Sequence, residues 1–381
     1  MADTDRRQDS TARDLMHDPT KGEILMANKK PKILLLCNQR VREGYISPDE
    51  LERMEAFANW DWFECEGGSI YQAHENPETI RQLCEQVEDV DGIVICHGAP
   101  RVGEEILNRA PNLRIIGELE GDRFAARIDL EACWQRGIRT VDTTQGSSYP
   151  VAEWALALIL ISLRNAGAMF RQIIAGNPPS GEEKGKNQKM LYGKRVGLIG
   201  CGHMGRRLIK FLRGFEVDIW VYDPYLPGEM AEAIGFVQTS LDNLFSQCDV
   251  VVCVAPLTPR TEGMIGKREL DLLPPGSTFV NVSRGKVVDS EALIERLKRG
   301  DITAGIEAFD PEPIPSDSEI IHLPNVFLSP HFAGLTGDDH PHFFRLMVDE
   351  LERFFRGHQT WFDLTARSRA NREGREPEHV L

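Results

Sequence analysis

The chain has 381 residues, with 44 Lys and Arg against 59 Asp and Glu, which gives a formal net charge of −15 at pH 7. This length corresponds to two or three domains, and 41% hydrophobic with 27% charged residues is the composition of an ordinary globular protein. The surplus of negative charge argues against nucleic acid as a partner and against a polybasic membrane anchor. A local positive pocket for a small anion is compatible with it.

Both ends of the chain are polar, and we expect a disordered extension over residues 1–29 and a flexible tail over 366–381. The eight cysteines form no C-x-x-C pair, which predicts reduced core thiols in a cytoplasmic protein. The longest apolar run, from Trp154 to Leu163, is too short to cross a bilayer, and the N-terminus lacks the apolar region of a secretory signal. We therefore expect no membrane association.

Short apolar runs alternate with helical patterns along the chain. In the first part, strands are predicted over 31–37, 91–96 and 113–117, and helices over 48–58, 77–87 and 103–109. A long apolar helix over 151–164 and a loop rich in Gly, Pro and Lys over 175–189 precede the second series. That series has strands at 195–199, 218–222, 250–254, 278–281, 303–307 and 326–328, with helices such as 205–215 and 289–299. The alternation predicts an α/β protein with two doubly wound parallel sheets.

The strongest local motif is Gly200-x-Gly202-x-x-Gly205, which directly follows an apolar strand and opens a helix. On its own the motif is weak, because a simple glycine-rich turn has the same pattern. In this context it predicts dinucleotide binding: Gly200 allows the tight turn, Gly202 lets a pyrophosphate approach the backbone, and Gly205 permits close packing of helix and strand.

Asp223 lies 23 residues after Gly200, at the end of the next strand. A carboxylate there accepts hydrogen bonds from the adenosine ribose. No Arg or Lys occurs in the Pro-Tyr-Leu-Pro segment that follows, so a 2′-phosphate would meet an uncompensated acid. The sequence therefore favours NAD over NADP.

Three further side chains follow predicted strand ends, where open α/β sheets bind ligands. Arg284 could clamp a carboxylate, although most arginines are simply solvated. His331 could be a general acid or base, or a structural histidine. Glu312 could pair with that imidazole and favour its protonated form, or be a surface acid beside a proline turn.

Taken in order, these features resemble the D-isomer-specific 2-hydroxyacid dehydrogenases. The resemblance is close over residues 144–340 and weaker over 31–143. It includes the segments Ser147-x-x-x-Val-Ala-Glu153, Leu191-x-Gly-Lys-Arg-Val-Gly-Leu-Ile-Gly, Ala255-Pro-Leu-Thr-Pro-Arg-Thr261, Asn281-x-x-Arg-Gly-x-x-Val-Asp, Glu312-Pro and Leu351-x-Arg-Phe-Phe-x-Gly357.

The resemblance implies a Rossmann cofactor domain, residues 146–334, inserted into a flavodoxin-like substrate domain built from 30–145 and 335–365. Helix 151–164 would lie at the hinge and at the contact of a homodimer formed through the cofactor domain. The implied reaction is hydride transfer between NAD(H) and a small anionic 2-keto or 2-hydroxy acid, with no metal.

The resemblance also implies roles for individual residues. Arg284 would bind the substrate carboxylate, and His331, paired with Glu312, would exchange a proton with the C2 oxygen. His203 and Met204 would contact the pyrophosphate, and Pro256 and Thr261 would border the adenosine. The nicotinamide half would meet Val282, Ser283, Glu307 and Gly334, in addition to Arg284 and His331.

Several positions depart from the family pattern. Glu307 stands where an Asp is usual, Ser147 where an Asn is usual, and Leu335 where a small hydroxyl residue is usual. The loop from Gly117 to Asp129 replaces a shorter, less charged glycine-rich loop that faces the substrate. The other substrate loop contains His97, Gly98, Ala99 and Arg101. Arg101 and Arg123 could recognise a second anionic group or be solvated loop charges.

Two alternatives to this function stay open. The first is an NAD(H)-sensing interaction protein on the same fold, similar to the C-terminal-binding corepressors. The second is an enzyme acting on formate or phosphite, although formate enzymes usually place a Gln where Glu312 stands. The sequence does not identify the keto acid; glyoxylate, hydroxypyruvate and a phosphorylated or dicarboxylic analogue all fit.

Overall fold

The structure is a computed structural model that describes residues 29–68, 72–121, 126–185, 188–337 and 340–375. The predicted N-terminal extension, apart from its last residue, and the predicted substrate-binding residue Arg123 lie outside the described residues.

A five-stranded parallel sheet forms the first domain, in the order β2-β1-β3-β4-β5. This is the flavodoxin-like order, as the sequence predicts. The strands are β1 Lys32–Cys37, β2 Asn59–Glu64, β3 Gly92–Ile95, β4 Ile115–Glu118 and β5 Arg139–Asp142.

A seven-stranded parallel sheet forms the second domain, in the order β12-β11-β10-β9-β6-β7-β8. This is the Rossmann order with one additional strand, and the order reverses between β6 and β9. The strands are β6 Arg195–Ile199, β7 Asp218–Tyr222, β8 Val237–Gln238, β9 Val250–Cys253, β10 Thr278–Asn281, β11 Thr303–Ile306 and β12 Val326–Leu328.

Helices cover both faces of each sheet, which leaves the central strands fully buried and apolar. They are α1 Gln39–Gly44, α2 Pro48–Glu55, α3 Pro77–Cys84, α4 Glu104–Leu107, α5 Leu130–Gln135, α6 Ser148–Leu163, α7 Ala166–Ile174, α8 His203–Leu212, α9 Gly228–Ile234, α10 Leu241–Gln247, α11 Lys267–Asp271, α12 Ser290–Lys298, α13 His340–Phe355 and α14 Ala366–Arg372. All eight cysteines are free thiols, and seven of them are buried.

Helix α13 belongs to the first sheet although it follows the second in sequence. Its residues Phe343, Phe344 and Met347 are fully buried in the same core as Ile33 and Leu35 of β1. The chain therefore leaves the first domain after β5, builds the second, and returns to complete the first.

Three strands are additional to those that the sequence predicts: β2, β5 and β8. Strand β2 alternates polar and aromatic residues and has one buried position, so it lacks the apolar run of an internal strand. Strand β5 has four residues, and on its outer side Val141 forms an antiparallel bridge with Asp363. Edge strands have one partner to cover them, so their sequences carry a weaker apolar signal.

The helical stretch Thr144–Leu163 is longer than the apolar run predicted from sequence. By length and composition it could cross a bilayer, but half of it is buried within the protein. Helix α6, which makes up most of it, packs on β10, β11 and α8. A helix that is apolar all round is also typical of a protein core, so the stretch is weak evidence for a membrane.

The structure describes residues 366–375 of the predicted flexible tail and gives them a helix, whereas residues 376–381 lie outside the described residues. This segment contains α14, and ion pairs join Arg369 to Glu131 and Arg372 to Asp142. The sequence shows a polar stretch, and only the folded chain places acids of the first domain opposite its arginines.

Candidate active site

The glycine loop follows β6 and has the geometry that a dinucleotide needs. Gly200 adopts a φ of +99°, a conformation that side chains disfavour. A Cβ on Gly205 would lie 2.7 Å from the Gly200 carbonyl oxygen, whereas a Cβ on Gly202 would meet nothing within 4 Å. Open space in front of the first turn of α8 leaves its N–H groups available to a diphosphate, so these residues fit the cofactor.

Asp223 lies just beyond β7 and holds the glycine loop in place. Its carboxylate accepts hydrogen bonds from the Cys201 N–H at 2.8 Å and from the Tyr225 N–H at 3.0 Å. The acid predicted to contact the ribose therefore lies beside the loop predicted to contact the pyrophosphate.

A second loop, residues 256–261, follows β9 and faces the glycine loop across the point where the strand order reverses. It is compact: the Thr261 hydroxyl donates to the Pro256 carbonyl at 2.6 Å and accepts from the Thr258 N–H at 2.7 Å. Crevices at such switch points are where doubly wound sheets bind dinucleotides.

Arg284 follows β10, and the turn that carries it is tied to the loop after β11. The Asn281 amide donates to the Ala308 carbonyl at 3.0 Å and to the Arg284 carbonyl at 3.3 Å. A Cβ on Gly285 would overlap the Phe309 backbone, so a glycine is needed there. The Arg284 guanidinium is partly exposed and donates to the Ser283 carbonyl at 3.0 Å.

Val282 and Ser283 have buried side chains, and the Ser283 hydroxyl donates to the Ala255 carbonyl. Any contact of these two residues with a cofactor therefore goes through their main chain. Met204 is half-buried against the core of the second domain, whereas His203 is exposed.

His331 and Glu312 are brought together by the loops after β12 and β11. His331 Nδ1 lies 2.5 Å from Glu312 Oε1, and both side chains remain partly exposed. His331 adopts a φ of +56°, which is uncommon outside glycine. With Nδ1 engaged by the carboxylate, Nε2 is the ring nitrogen left to exchange a proton with a substrate.

Glu307 is buried and holds the segment that carries His331. One carboxylate oxygen accepts from the Ala333 N–H at 2.6 Å. The other accepts from the Trp154 indole N–H at 2.8 Å and from the Ser329 hydroxyl. Gly334, which follows Ala333, lies against the start of α6. A Cβ on Gly334 would be 3.7 Å from the Val151 side chain.

The predicted substrate loop after β3 is held by a main-chain hydrogen bond and by close packing. The His97 carbonyl accepts from the Asn38 N–H at 2.9 Å, and Gly98 has a φ of +92° with no room for a Cβ beside Cys65. Ala99 is buried. Burial, with the positive fields of Arg127 and Arg40, lowers the pKa of His97 to about 4, so this imidazole is neutral at pH 7.

The altered loop of the first domain contains a buried ion pair that the sequence analysis missed. Arg127 Nη1 lies 2.6 Å from Glu118 Oε1, and both side chains are fully buried. Burial raises the pKa of Glu118 to about 7 despite the opposing effect of Arg127. The sequence did contain a signal for this pair: two opposite charges lie nine residues apart in a loop that departs from the family pattern.

Tyr45 and His340 lie near the substrate loops and were also missed by the sequence analysis. The Tyr45 hydroxyl donates to Glu120 at 2.5 Å, and its ring stacks on His340 with centroids 4.4 Å apart. Arg101 is exposed and forms an ion pair with Asp129 at 3.3 Å.

Comparison with known proteins agrees with this geometry. Residues 156–333 match the family described as "D-isomer specific 2-hydroxyacid dehydrogenase, NAD binding domain". The chain is 31% identical over 281 residues to a D-3-phosphoglycerate dehydrogenase of Methanocaldococcus jannaschii, covering 73% of this chain and 52% of that one. It is 32% identical over 291 residues to a glyoxylate reductase of Pyrococcus furiosus, covering 72% and 82%.

The match spans about half the length of the phosphoglycerate dehydrogenases. Among solved structures, a phosphoglycerate oxidoreductase from Rhizobium etli superposes with a TM-score of 0.77 at 23% identity, over 88% of this chain and 98% of that one. This likeness shows the two-domain fold. The chain belongs to the D-isomer-specific 2-hydroxyacid dehydrogenase family, whose second domain binds NAD.

Proposed function

We propose that the chain is an NAD-dependent dehydrogenase that interconverts a small D-2-hydroxy acid and its 2-keto acid. The observation that carries this proposal is the contact of His331 with Glu312 at 2.5 Å. This pair follows strands of the same parallel sheet as Arg284 and the glycine loop. Because the carboxyl ends of parallel strands share one edge, a proton-transfer pair, a cation and a dinucleotide loop converge there.

Each group has a distinct task in the proposed reaction. When bound, the nicotinamide supplies or accepts a hydride. The Arg284 guanidinium pairs with the substrate carboxylate and orients its C2 carbon, which is a positioning effect. His331 Nε2 donates a proton to the C2 oxygen in reduction and removes it in oxidation.

Glu312 and Glu307 prepare His331 for that task. The Glu312 carboxylate fixes the orientation of the ring through Nδ1. Glu307 holds the Ala333 N–H, two residues beyond His331, and so supports a backbone conformation that is otherwise unfavourable. Reduction of an uncharged carbonyl group needs a proton donor such as His331. The presence of this donor favours carbonyl chemistry over formate oxidation.

The experiment that tests this function follows the near-ultraviolet absorbance of NADH with a panel of 2-keto acids. Glyoxylate, hydroxypyruvate, its phosphorylated form and a dicarboxylic analogue belong in the panel, and NADPH is run beside NADH. We expect oxidation of NADH, and much slower oxidation of NADPH, with at least one acid. NADH binding without oxidation by any of them would favour the NAD(H)-sensing alternative.

We also propose a homodimer formed through the second domain, in the cytoplasm. Helix α7 exposes Phe170, Ile173 and Ile174, and α6 beside it is apolar all round. A surface of this kind is typical of an interface between subunits. Light scattering after size exclusion should give twice the chain mass for the wild type. The variant Ile173→Asp should shift the protein toward the monomer. A monomeric wild type contradicts the proposal.

A further inference from the structure

The C-terminal segment begins as an addition to the edge of the first sheet. The Leu364 N–H donates to the Thr140 carbonyl at 2.8 Å, and the Asp142 N–H donates to the Phe362 carbonyl at 3.0 Å. Helix α14 follows immediately. The start of the segment is therefore fixed to β5 by main-chain hydrogen bonds.

The same segment then reaches the second domain at two places. The Phe362 ring lies edge-on to the His203 ring, with centroids 6.2 Å apart. Gly374 lies against the loop after β9, where a Cβ would be 3.1 Å from the Thr258 hydroxyl and 3.2 Å from the Arg260 side chain. Residues 362–375 thus contact both rims of the switch-point crevice: Phe362 lies at the glycine loop and Gly374 at the loop after β9.

Ion pairs attach the segment to the first domain. Arg372 Nη1 lies 2.7 Å from Asp142 Oδ2, and the Asp142 side chain is only 3% exposed. Arg369 lies 3.0 Å from Glu131 and 2.8 Å from Glu373. Removing one partner of a pair with a buried carboxylate leaves that charge uncompensated, which is unfavourable, so Arg372 holds a defined position.

The N-terminus of α8 lies within range of charges on this segment and on β5. Burial and, after it, the positive charges of Arg206, Arg372 and Arg207 lower the pKa of His203 to about 4, and the Asp142 carboxylate opposes them. His203 keeps some solvent-exposed surface, as expected for a residue that borders a crevice. Because Asp142 pairs with Arg372, the structural role of Arg372 is to hold α14 against the first domain.

We propose that the C-terminal segment, residues 362–375, forms the outer wall of the cofactor site, with Phe362 at the glycine loop, Gly374 at the loop after β9, and Arg372 holding α14 in place through its pair with Asp142. The inference rests on the proposed location of the NAD site at the glycine loop. It adds a cofactor-binding element that lies outside the nucleotide-binding domain and is carried by the other domain. Cofactor binding would then also hold the two domains together.

Cofactor binding, measured without any substrate, tests this wall separately from the proposed reaction. NADH fluorescence titration gives the dissociation constant of the wild type, of a chain ending at Thr365, and of Arg372→Ala. We expect truncation and Arg372→Ala each to weaken NADH binding by about 10-fold or more, because the first removes α14 and the second breaks the charge-assisted contact with Asp142 that holds it in place. Arg367→Ala, on the exposed side of the same helix, should leave the affinity unchanged.

Hydrogen exchange of the wild type provides a measurement that does not depend on the folding of any variant. Exchange over residues 366–375 should slow when NADH is added. Unchanged exchange with an unchanged dissociation constant for the truncated chain overturns the inference. Tighter NADH binding after truncation also overturns it, because the segment would then obstruct the site. If NADH binds but no keto acid is reduced, the proposed function fails while this test remains decisive.

Discussion

His331 Nδ1 contacts Glu312 Oε1 at 2.5 Å, and the two residues come from loops after neighbouring strands, β12 and β11. The contact is possible because the two strands are parallel, so that both loops emerge at the same sheet edge. In the proposed reaction, Glu312 acts on the substrate only through the ring of His331. We therefore assign it a positioning role, and we assign contact with the substrate to His331.

Removing the Glu312 charge should slow turnover without affecting cofactor binding. In Glu312→Gln, the imidazolium loses a charged hydrogen-bond partner worth about 1.5–3 kcal/mol, so kcat should fall about 10- to 100-fold. Steady-state kinetics with the best keto acid give kcat and the NADH affinity separately. Glu291→Gln, an exposed acid on α12, is the control. A kcat that Glu312→Gln leaves unchanged would show that Glu312 does not act through the imidazole.

His97 should make the folded protein less stable in mild acid. Its pKa is about 4 in the fold and about 6.5 when exposed, so between these values the unfolded chain binds more protons. The contribution of neutral His97 to the free energy of unfolding is therefore complete above pH 7. It decreases as the pH falls, and at pH 5 the free energy of unfolding is lower by about 2 kcal/mol. The raised pKa of Glu118 acts in the opposite direction but is common to both proteins compared below.

Urea unfolding of the wild type and of His97→Gln at pH 8 and pH 5 isolates this contribution. Between pH 8 and pH 5, the free energy of unfolding of the wild type should fall by about 2 kcal/mol more than that of His97→Gln. A difference that stays constant between the two pH values would show that His97 is not held neutral by its surroundings.

Removing one partner of the buried Glu118–Arg127 pair should destabilise the fold strongly, whereas replacing both partners with apolar residues should destabilise it little. Arg127→Met leaves Glu118 buried without its partner, which typically costs about 3–5 kcal/mol of unfolding free energy. Glu118→Leu combined with Arg127→Met removes both charges and should recover most of that loss. Arg101→Ala, which breaks the exposed pair with Asp129, should cost less than about 1 kcal/mol.

Urea denaturation midpoints measure all three variants. Equal losses of unfolding free energy for Arg127→Met and for the double variant would mean that the attraction between the two charges itself stabilises the fold. That result would contradict the energetic account of the altered loop.

The sequence predicts best what local chemistry determines. The glycine loop, Asp223 and the two domains are encoded by short motifs and by apolar runs, and both sheet orders agree with the family resemblance. The contact between His331 and Glu312 was also predictable, since both follow predicted strands.

What the sequence analysis missed depends on contacts between distant segments. Strand β5 needs the C-terminal segment on its edge, since Val141 bridges Asp363. Helix α14 is polar and becomes ordered through acids of the first domain, Glu131 and Asp142. Glu118 and Arg127 look like loop charges until the fold buries both.

The most direct test of the whole account compares NADH oxidation by the wild type and by His331→Ala, with NADH affinity measured in parallel. The account predicts that the wild type reduces at least one 2-keto acid of the panel. It predicts that His331→Ala lowers kcat by about 10²- to 10⁴-fold, the usual contribution of a general acid, with the NADH dissociation constant nearly unchanged. Near-normal turnover by His331→Ala, or no oxidation by the wild type with any acid, would contradict it.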